Sequence, residues 1–344
     1  MAIIKLVVWN MEWLNDLFAA GEPARFRPDA EKPQHAQEGT ILDRRRDLAS
    51  VLSELAPDAV VVVEGPSRQE ELQLFFDTDV AGQWRVALQQ TPGQSQNIAV
   101  AVRTDTGKFG ADPLQHWNTN QDNRFGPFLV DTDNDDVKEQ HGFERRPLYV
   151  ELRTAGGAAF RVLGLHLKSK GIFQAFEWSK WWLKADANRK KILAQATQIR
   201  TKFLDPYLTD QATRDVPLLV CGDINDGPGL DASEKRLFGS GVERLMGHVW
   251  RPSLCMGNAI FDTLKPKDQS ELDFSSLYTT SFRDPIFNNT FQREWIDHIL
   301  YYKGRPDNWV RQAGIYRTTA DGSPIWKKYL HASDHFPLFA EIHL

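Results

Sequence analysis

The sequence predicts an α/β protein in which β-sheets are covered by helices. Predicted strands outnumber helices, the helices fall between strands, and the strands are continuous apolar runs typical of sheets buried on both faces. No stretch has the composition of a linker between domains. We therefore expect one domain over residues 1–344, with insertions near 14–40, 104–145 and 167–204.

The elements follow from local patterns along the chain. Residues 3–9 (IIKLVVW) are rich in β-branched side chains, which favour a strand. Thr40 precedes the amphipathic segment 41–55, and Asp43 completes a capping-box pattern, so a helix is expected there. The run at 59–63 (AVVVV) is a buried strand that ends on Glu64. The other predicted elements are helices at 67–77 and 186–204 and strands at 84–89, 97–103, 147–153, 159–166, 216–222, 296–302 and 336–342.

The composition is that of a globular protein without a strong overall charge. Of 344 residues, 41% are hydrophobic and 25% are charged, which excludes disorder, collagen and coiled coil as descriptions of the whole chain. The net charge of −5 argues against tight, sequence-independent coating of duplex nucleic acid. No apolar run approaches the roughly 20 residues of a membrane span. The amino terminus lacks a secretory signal pattern, so a cytoplasmic protein with reduced cysteines is expected.

Polar side chains stand at the ends of successive predicted strands. Taken singly, each has an ordinary structural explanation, such as a solvated strand end or a turn. Their joint occurrence favours function, because side chains at strand ends are held by a rigid scaffold and converge on one cleft. These residues are Asn10, Glu12, Glu64, His166, Asp223, Asn225, Asp297, His298, Asp334 and His335.

These residue types match metal-assisted hydrolysis of a phosphoester. Carboxylate and amide oxygens are hard ligands that suit Mg²⁺ or Mn²⁺, and an Asp–His pair with a further Asp suits activation of water. The GDIND sequence at 222–226 also fits a GDxxD element of two-metal phosphoesterases, but the Asp-x-His and Gly-Asn-His elements that accompany it are not found. The sequence contains neither a nucleophile elbow nor a Walker A loop.

The ordered set resembles the motifs of the endonuclease/exonuclease/phosphatase superfamily, which includes deoxyribonuclease I, abasic-site endonucleases, inositol-polyphosphate 5-phosphatases and bacterial sphingomyelinases. The resemblance covers nearly the whole chain and implies a deoxyribonuclease I-like, four-layer α-β-β-α sandwich of two mixed sheets. Its elements are Trp9-Asn10-Met11-Glu12, Val63-Glu64, His166, Gly222-Asp223-Ile224-Asn225, Ile296-Asp297-His298 and Ser333-Asp334-His335.

The resemblance implies a site for a divalent cation, Mg²⁺ or Mn²⁺. Glu64 takes the position of the principal ligand, with Asn10 and Glu12 beside it. Asp334 takes that of a second carboxylate on the metal side. Glu12 stands where many members of the superfamily have Asp, so its longer side chain is expected to alter the distance to the cation.

The resemblance also implies the catalytic residues. Asp223 would position or deprotonate the attacking water, and Asn225 would orient its neighbours. His335 would contact the scissile phosphate or help to activate water, with its tautomer fixed by Asp297. His166 would donate a hydrogen bond to a phosphate oxygen.

Cations outside the shared motifs suggest how a polyphosphate substrate is bound. Arg146 resembles an arginine that approaches substrate phosphate in nuclease members, and Lys168 and Lys170 are expected to neutralise flanking phosphates. Downstream, aromatic residues interleaved with cations match a track for single-stranded nucleic acid. A packed helix with a solvated cationic face, or insertion into a lipid interface, explains the same pattern. The stretch comprises Phe173, Phe176, Trp178, Lys180, Trp181, Trp182, Lys184, Arg189, Lys190 and Lys191.

The charge run Arg44-Arg45-Arg46 has a simpler explanation. It lies in a predicted helix beside Asp43 and Asp47, which is typical of a salt-bridged surface.

Together these observations predict a phosphodiesterase that depends on Mg²⁺ or Mn²⁺ and hydrolyses DNA, in preference to RNA, by in-line attack of water. No stable membrane association and no obligate protein partner are expected. One alternative keeps the same core and makes the protein a phosphomonoesterase on a small-molecule or lipid-linked phosphate. A catalytically idle binding protein on this fold is a third hypothesis.

Overall fold

The computed structural model describes residues 2–35, 39–132, 135–172, 177–228, 237, 239–270, 276–284, 290–303 and 308–344. The strands in these ranges are β1 (Ile3–Asn10), β2 (Ala59–Gly65), β3 (Trp84–Gln89), β4 (Asn97–Arg103), β5 (Phe109–Trp117), β6 (Phe128–Val130), β7 (Glu139–His141), β8 (Leu148–Thr154), β9 (Ala159–His166), β10 (Leu218–Asp223), β11 (Met256–Asn258), β12 (Thr280–Asp284), β13 (Thr290–Glu294), β14 (Asp297–Tyr302), β15 (Val310–Ile315) and β16 (Leu338–His343). The helices are α1 (Ile41–Leu55), α2 (Gln69–Asp79), α3 (Trp181–Ile199), α4 (Asp205–Thr209), α5 (Gly241–Met246), α6 (Ala259–Asp262), α7 (Pro266–Ser270) and α8 (Ile325–Lys328).

Within the described residues, most strands form two mixed sheets of six strands each. The first sheet has the order β15-β16-β1-β2-β4-β3, and the second has the order β11-β14-β10-β9-β8-β5. Strands β1 and β2 run parallel, as do β9 and β10, whereas the other neighbours are antiparallel. In each sheet, the two parallel strands therefore have their carboxyl ends on the same side of the sheet.

The two sheets pack face to face, and helices cover both outer faces. Inward side chains of both sheets, such as Val61 and Leu219, share one buried apolar cluster. Because side chains alternate along a strand, Val60 points the other way and packs with α1 and α2 in a second cluster. A third cluster joins Val220 of the second sheet to Ile192 of α3. The four-layer sandwich predicted from the sequence is confirmed.

The differences between the predicted and observed elements lie mainly at sheet edges. The capping box of Thr40 and Asp43 is present, and β9 has the predicted bounds 159–166. The predicted insertion at 104–145 contains β5, an edge strand of the second sheet. The insertion at 167–204 contains α3, which starts at Trp181. Strands β11, β12, β13 and β15 are further elements that the sequence did not predict.

The cysteines and helices bear on the remaining sequence expectations. Cys221 is buried in β10, Cys255 is partly exposed, and both are free thiols. None of the helices in the described ranges combines the length and apolarity needed to cross a membrane.

Candidate active site

Strand ends from both sheets converge on one cluster of polar side chains. Asn10 ends β1, Glu64 lies near the end of β2, and His166 and Asp223 end the parallel strands β9 and β10. Asn10 Nδ2 donates to Glu64 Oε1 at 3.3 Å and to Asp223 Oδ2 at 3.2 Å, which joins the two sheets. His166 Nε2 lies 3.8 Å from Glu64 Oε1 and 3.6 Å from Asp223 Oδ2. The structure thus brings together four predicted site residues.

A histidine–aspartate pair lies beside this cluster. Asp297 begins β14 and is paired in register with Asp223 of β10. His335 Nδ1 forms a hydrogen bond with Asp297 Oδ2 at 2.8 Å, and His335 Nε2 lies 3.9 Å from Asp334 Oδ1. Asp223, Asp297 and His335 each offer a ligand atom within 4.8 Å of the others. The histidine–aspartate pair therefore lies directly beside Asp223.

The segment that carries Asp334 and His335 is anchored to β1. Trp9 Nε1 donates to the carbonyl oxygen of His335 at 2.9 Å, and Ser333 Oγ donates to the carbonyl oxygen of Asn10 at 2.8 Å. The amide of His335 donates in turn to Ser333 Oγ at 3.0 Å. These bonds give structural reasons for the tryptophan and serine in the first and last sequence motifs.

Three site residues have left-handed backbone conformations. The φ angles are 44° for Glu12, 56° for Glu64 and 57° for Asn225, which is uncommon for residues other than glycine. The Glu12 amide donates to Asn10 Oδ1 at 3.0 Å, and the Asn225 amide donates to Asp223 Oδ1 at 2.8 Å. Strained positions persist where surrounding contacts hold them, and they cluster at functional sites.

Gly222 allows β9 and β10 to approach closely at the site. Its φ is 127°, and a Cβ on this residue would lie 2.1 Å from the carbonyl oxygen of Leu165. Any side chain there would therefore clash with the backbone of the neighbouring strand. The glycine lets the sheet place Asp223 beside His166.

The acidic side chains of the cluster raise one another's pKa values. Burial and the neighbouring Asp297 raise the pKa of Asp223 to about 8. Burial and Asp334 raise the pKa of Glu12 to about 8, and burial also raises the pKa of Glu64. The surroundings therefore disfavour the negatively charged forms of these three acids.

The pKa values of the two histidines in the site are shifted in opposite directions. Burial lowers the pKa of His335, but Asp297 and Asp334 outweigh burial and hold this pKa well above its usual value. Burial, with a further contribution from Arg145, lowers the pKa of His166 well below its usual value. The surroundings therefore favour the protonated form of His335 and the neutral form of His166.

The donor set fits a hard divalent cation. Oxygens of Glu12, Glu64 and Asp223 are the ligand type that Mg²⁺ and Mn²⁺ prefer. Asp334 Oδ1 is buried, and no hydrogen bond from the described residues reaches it. Asn10 turns its Nδ2 toward the acids, so it would bind a cation through Oδ1 only with the amide turned over.

Comparison with known proteins identifies the fold. No protein-family model and no curated protein matches the sequence. The human Nocturnin catalytic domain with a bound sulfate anion is similar at 15% identity and a TM-score of 0.52, over 99% of this chain and 93% of that one. An endonuclease/exonuclease/phosphatase family protein from Bacteroides thetaiotaomicron is similar at 14% identity and a TM-score of 0.51, over 99% of this chain and 94% of that one. The chain has the fold of the endonuclease/exonuclease/phosphatase superfamily.

Sequence reasoning misread Arg44, which does not belong to a salt-bridged surface. Its side chain is 2% exposed in α1. Arg44 Nη2 donates to the carbonyl oxygens of Met11, at 2.7 Å, and Glu12, and Nη1 lies 3.6 Å from Glu12 Oε2. Nη1 also donates to the carbonyl oxygen of His331 at 3.4 Å. Arg44 therefore links α1 to the two loops that carry Glu12 and Asp334 of the candidate site.

Arg145 and Gln96 are further site residues that the sequence did not predict. Gln96 Nε2 donates to Glu64 Oε2 at 2.5 Å. Arg145 Nη1 donates to Gln96 Oε1 at 3.4 Å, and Arg145 Nη2 donates to the carbonyl oxygen of Leu167 at 2.7 Å. Nothing in the sequence separates Arg145 from the adjacent Arg146, because only the loop geometry decides which of them faces the acids.

The three cations predicted to bind substrate have other contacts in the structure. Arg146 Nη1 donates to the carbonyl oxygen of Phe125, not to a group of the acidic cluster. Lys170 is largely buried and forms an ion pair with Asp226 at 2.8 Å. Lys168 Nζ donates to the carbonyl oxygen of the next residue at 3.2 Å, and burial lowers its pKa.

The aromatic and basic stretch is only partly described. Trp182 is 57% exposed near the start of α3. Lys190 and Lys191 form ion pairs with acidic side chains in and just after β7, so they do not face an open track. Three aromatic side chains lie outside the described part of the chain: Phe173, Phe176 and Trp178.

Proposed function

We propose that this protein is a divalent-cation-dependent phosphodiesterase that hydrolyses DNA by in-line attack of water. One observation carries the proposal: acids from both sheets meet the hydrogen-bonded pair His335 and Asp297 in a single cluster. A cation-dependent hydrolase of phosphodiesters uses these groups, namely ligands for a cation, a base for water and a positive charge near the developing negative charge.

Glu64, Glu12, Asp334 and Asn10 are the residues proposed to hold Mg²⁺ or Mn²⁺. When bound, such a cation stabilises negative charge on the phosphoryl oxygens as a Lewis acid. The raised pKa values of Glu12 and Glu64 support this assignment, as does the buried oxygen of Asp334 that accepts no hydrogen bond from the described residues.

Asp223 is proposed to accept the proton of the attacking water. Its Oδ1 is held by the amide of Asn225 at 2.8 Å, which fixes the carboxylate plane. Asn225 Nδ2 donates to the carbonyl oxygen of Leu167 at 3.2 Å and so holds the loops after β9 and β10 together. Orientation of a base in this way contributes about 10²–10⁴-fold to rates.

His335 is proposed to contact the scissile phosphate as a cation. Its Nδ1 bond to Asp297 fixes the ring, so Nε2 is directed toward Asp334 and the acidic cluster. His166 is proposed to donate a hydrogen bond to a phosphate oxygen as a neutral imidazole.

Lys168 and Arg145 are the cations proposed to meet flanking phosphates, because both lie in or beside the loop that follows His166. Arg146 and Lys170 are instead proposed to hold that region in place through Phe125 and Asp226.

The test is hydrolysis of single-stranded and duplex DNA, RNA and small phosphomonoesters with Mg²⁺, with Mn²⁺ and with EDTA. We expect cation-dependent cleavage of DNA, and loss of about 10³-fold in turnover for Asp223→Asn. The control is Asp262→Asn, since Asp262 pairs with Tyr301 and Lys303 outside the site. Turnover that persists in EDTA, or a near-normal Asp223→Asn variant, would contradict the proposal. Phosphate release from monoesters alone would replace it with a phosphomonoesterase.

A further inference from the structure

Two aromatic rings are stacked beside the acidic cluster. The indole of Trp13 and the imidazole of His35 have ring centroids 4.3 Å apart and an interplanar angle of 18°. The backbone amide of Trp13 donates to Glu64 Oε2 at 2.9 Å, so the residue that carries the indole is bonded directly to the proposed principal cation ligand. Neither ring has a role in the chemistry proposed above.

The pair is held rigidly by polar contacts. Asp16 is buried. Its Oδ2 accepts a hydrogen bond from the His35 amide at 2.6 Å, and its Oδ1 is hydrogen-bonded to His35 Nδ1 at 2.9 Å. Trp13 has a φ of 50° and follows Glu12, whose φ is 44°, so the turn that aims the indole uses two left-handed residues in succession. Strain of this kind is retained where a fixed orientation serves function.

The imidazole of His35 remains open to solvent although it is stacked and hydrogen-bonded. Its side chain is 46% exposed, whereas the Asp16 side chain that orients it is 2% exposed. A ring used only for packing would be expected to bury most of its surface. An ordered, half-exposed ring beside a phosphoester site is instead suited to contact a planar group of the substrate.

We propose that Trp13 and His35 form a stacking platform for a nucleobase next to the scissile phosphate. This inference rests on the proposed phosphodiesterase function and narrows its substrate class to phosphoesters that carry a base. Every nucleobase has a π-face, so the platform contributes affinity without selecting a base sequence. Sugar, inositol and lipid phosphates have no such group, and the platform discriminates against them.

The experiment compares two decanucleotides, one of normal DNA and one in which tetrahydrofuran residues replace all bases. We expect the wild-type protein to have a higher kcat/KM on the normal strand. The quantity compared is kcat/KM on the normal strand divided by kcat/KM on the tetrahydrofuran strand. We expect His35→Ala to lower this ratio by about tenfold, the factor that corresponds to about 1.4 kcal/mol. His35→Phe keeps a ring without the Nδ1 bond to Asp16 and restores most of the ratio. A merely structural role of His35 would lower both values equally and leave the ratio unchanged, which would overturn the proposal.

A measurement of strand binding distinguishes failure of the stacking platform from failure of the proposed hydrolysis. If the wild-type protein cleaves neither strand, the hydrolytic function fails, and fluorescence anisotropy of the labelled strands then tests the platform alone. Weaker binding of the normal strand by His35→Ala, by about tenfold, supports stacking. Equal binding by the wild-type protein and His35→Ala overturns it.

Discussion

Two groups of carboxylates in this chain have opposite electrostatic surroundings. At the strand ends, burial and Asp297 raise the pKa of Asp223 to about 8. At the far end of α1, burial acts to raise the pKa of Glu54, but hydrogen bonds from Lys328, Tyr316 and Tyr329 lower it to about 2. The surroundings of Asp223 disfavour its charged form, whereas the hydrogen bonds to Glu54 stabilise its charged form.

The difference lies in whether the chain itself satisfies the carboxylate. Lys328 Nζ lies 2.7 Å from Glu54 Oε1, and Tyr316 Oη donates to Glu54 Oε2 at 2.5 Å, so the chain itself satisfies this carboxylate. At the strand ends, Glu64 accepts hydrogen bonds from Trp13 and Gln96, but burial outweighs these contacts and its pKa stays raised. The charged form of this acid is therefore disfavoured in the folded protein. Such unfavourable arrangements are expected where a ligand supplies the missing interaction.

The largest expected effect is on turnover through the histidine–aspartate pair. Asp297→Asn keeps the shape of the side chain but removes the charge that holds His335 protonated and oriented. We expect kcat on DNA to fall by about 10³-fold with little change in thermal stability. The matched control is again Asp262→Asn. Unchanged kcat for Asp297→Asn would show that the strand-end cluster is not the reacting centre.

The next largest effect is expected for Arg44, the buried cation that the chain itself supplies to the strand-end cluster. Arg44→Met leaves Glu12 without its ion pair and is expected to lower the free energy of unfolding by about 3 kcal/mol. Denaturation by urea measures this change. The adjacent Arg46 is exposed, so Arg46→Met is the control and is expected to change stability by less than about 0.5 kcal/mol. Equal effects of the two variants would contradict the role given to Arg44.

A smaller effect of the opposite sign is expected for Glu64. Its pKa is raised by burial, so its charged form opposes folding at neutral pH. Glu64→Gln removes that charge and is expected to raise the free energy of unfolding in EDTA by about 1 kcal/mol. Thermal denaturation in EDTA tests the sign, and a destabilised variant would mean that the cluster carries no electrostatic strain.

An effect of similar size to that of Glu64→Gln, but of the opposite sign, is expected for Glu54. Its pKa is lower in the folded protein than its usual value of 4.5, so its stabilising contribution is present above pH 4.5 and is lost as the pH falls toward 2. Glu54→Gln is expected to cost about 1 kcal/mol at pH 7. The difference in the free energy of unfolding between wild type and variant should shrink as the pH is lowered from 5. A difference that does not change with pH would remove the contrast with the strand-end acids.

The core of the fold could be predicted because its strands are apolar on both faces. Strand β5 was missed because it lies at an edge, includes Pro113, and leaves several side chains exposed. Strand β15, another edge strand that the sequence did not predict, has a break in its register between Arg311 and Gly314. Edge strands bury little apolar surface, so hydrophobic pattern alone does not mark them.

The residues that the structure brings together in the candidate site could be predicted where they end or flank strands, and not where they lie in a helix or a long loop. Arg44 was missed because its contact His331 is 287 residues away. A local signal did exist: Ile41, Arg44 and Leu48 share one face of α1, so a charge stands on the apolar stripe. Arg145 carries no comparable signal.

The most direct measurement of the central claim is binding of Mn²⁺, followed by isothermal titration calorimetry on the wild-type protein, Glu64→Gln and Glu54→Gln. The cluster of strand-end acids is expected to bind the cation with an affinity that Glu64→Gln lowers by at least about tenfold, whereas Glu54→Gln leaves it unchanged. Equal Mn²⁺ affinity in all three proteins would contradict the account, because Glu64 would then not hold the cation on which the proposed hydrolysis depends.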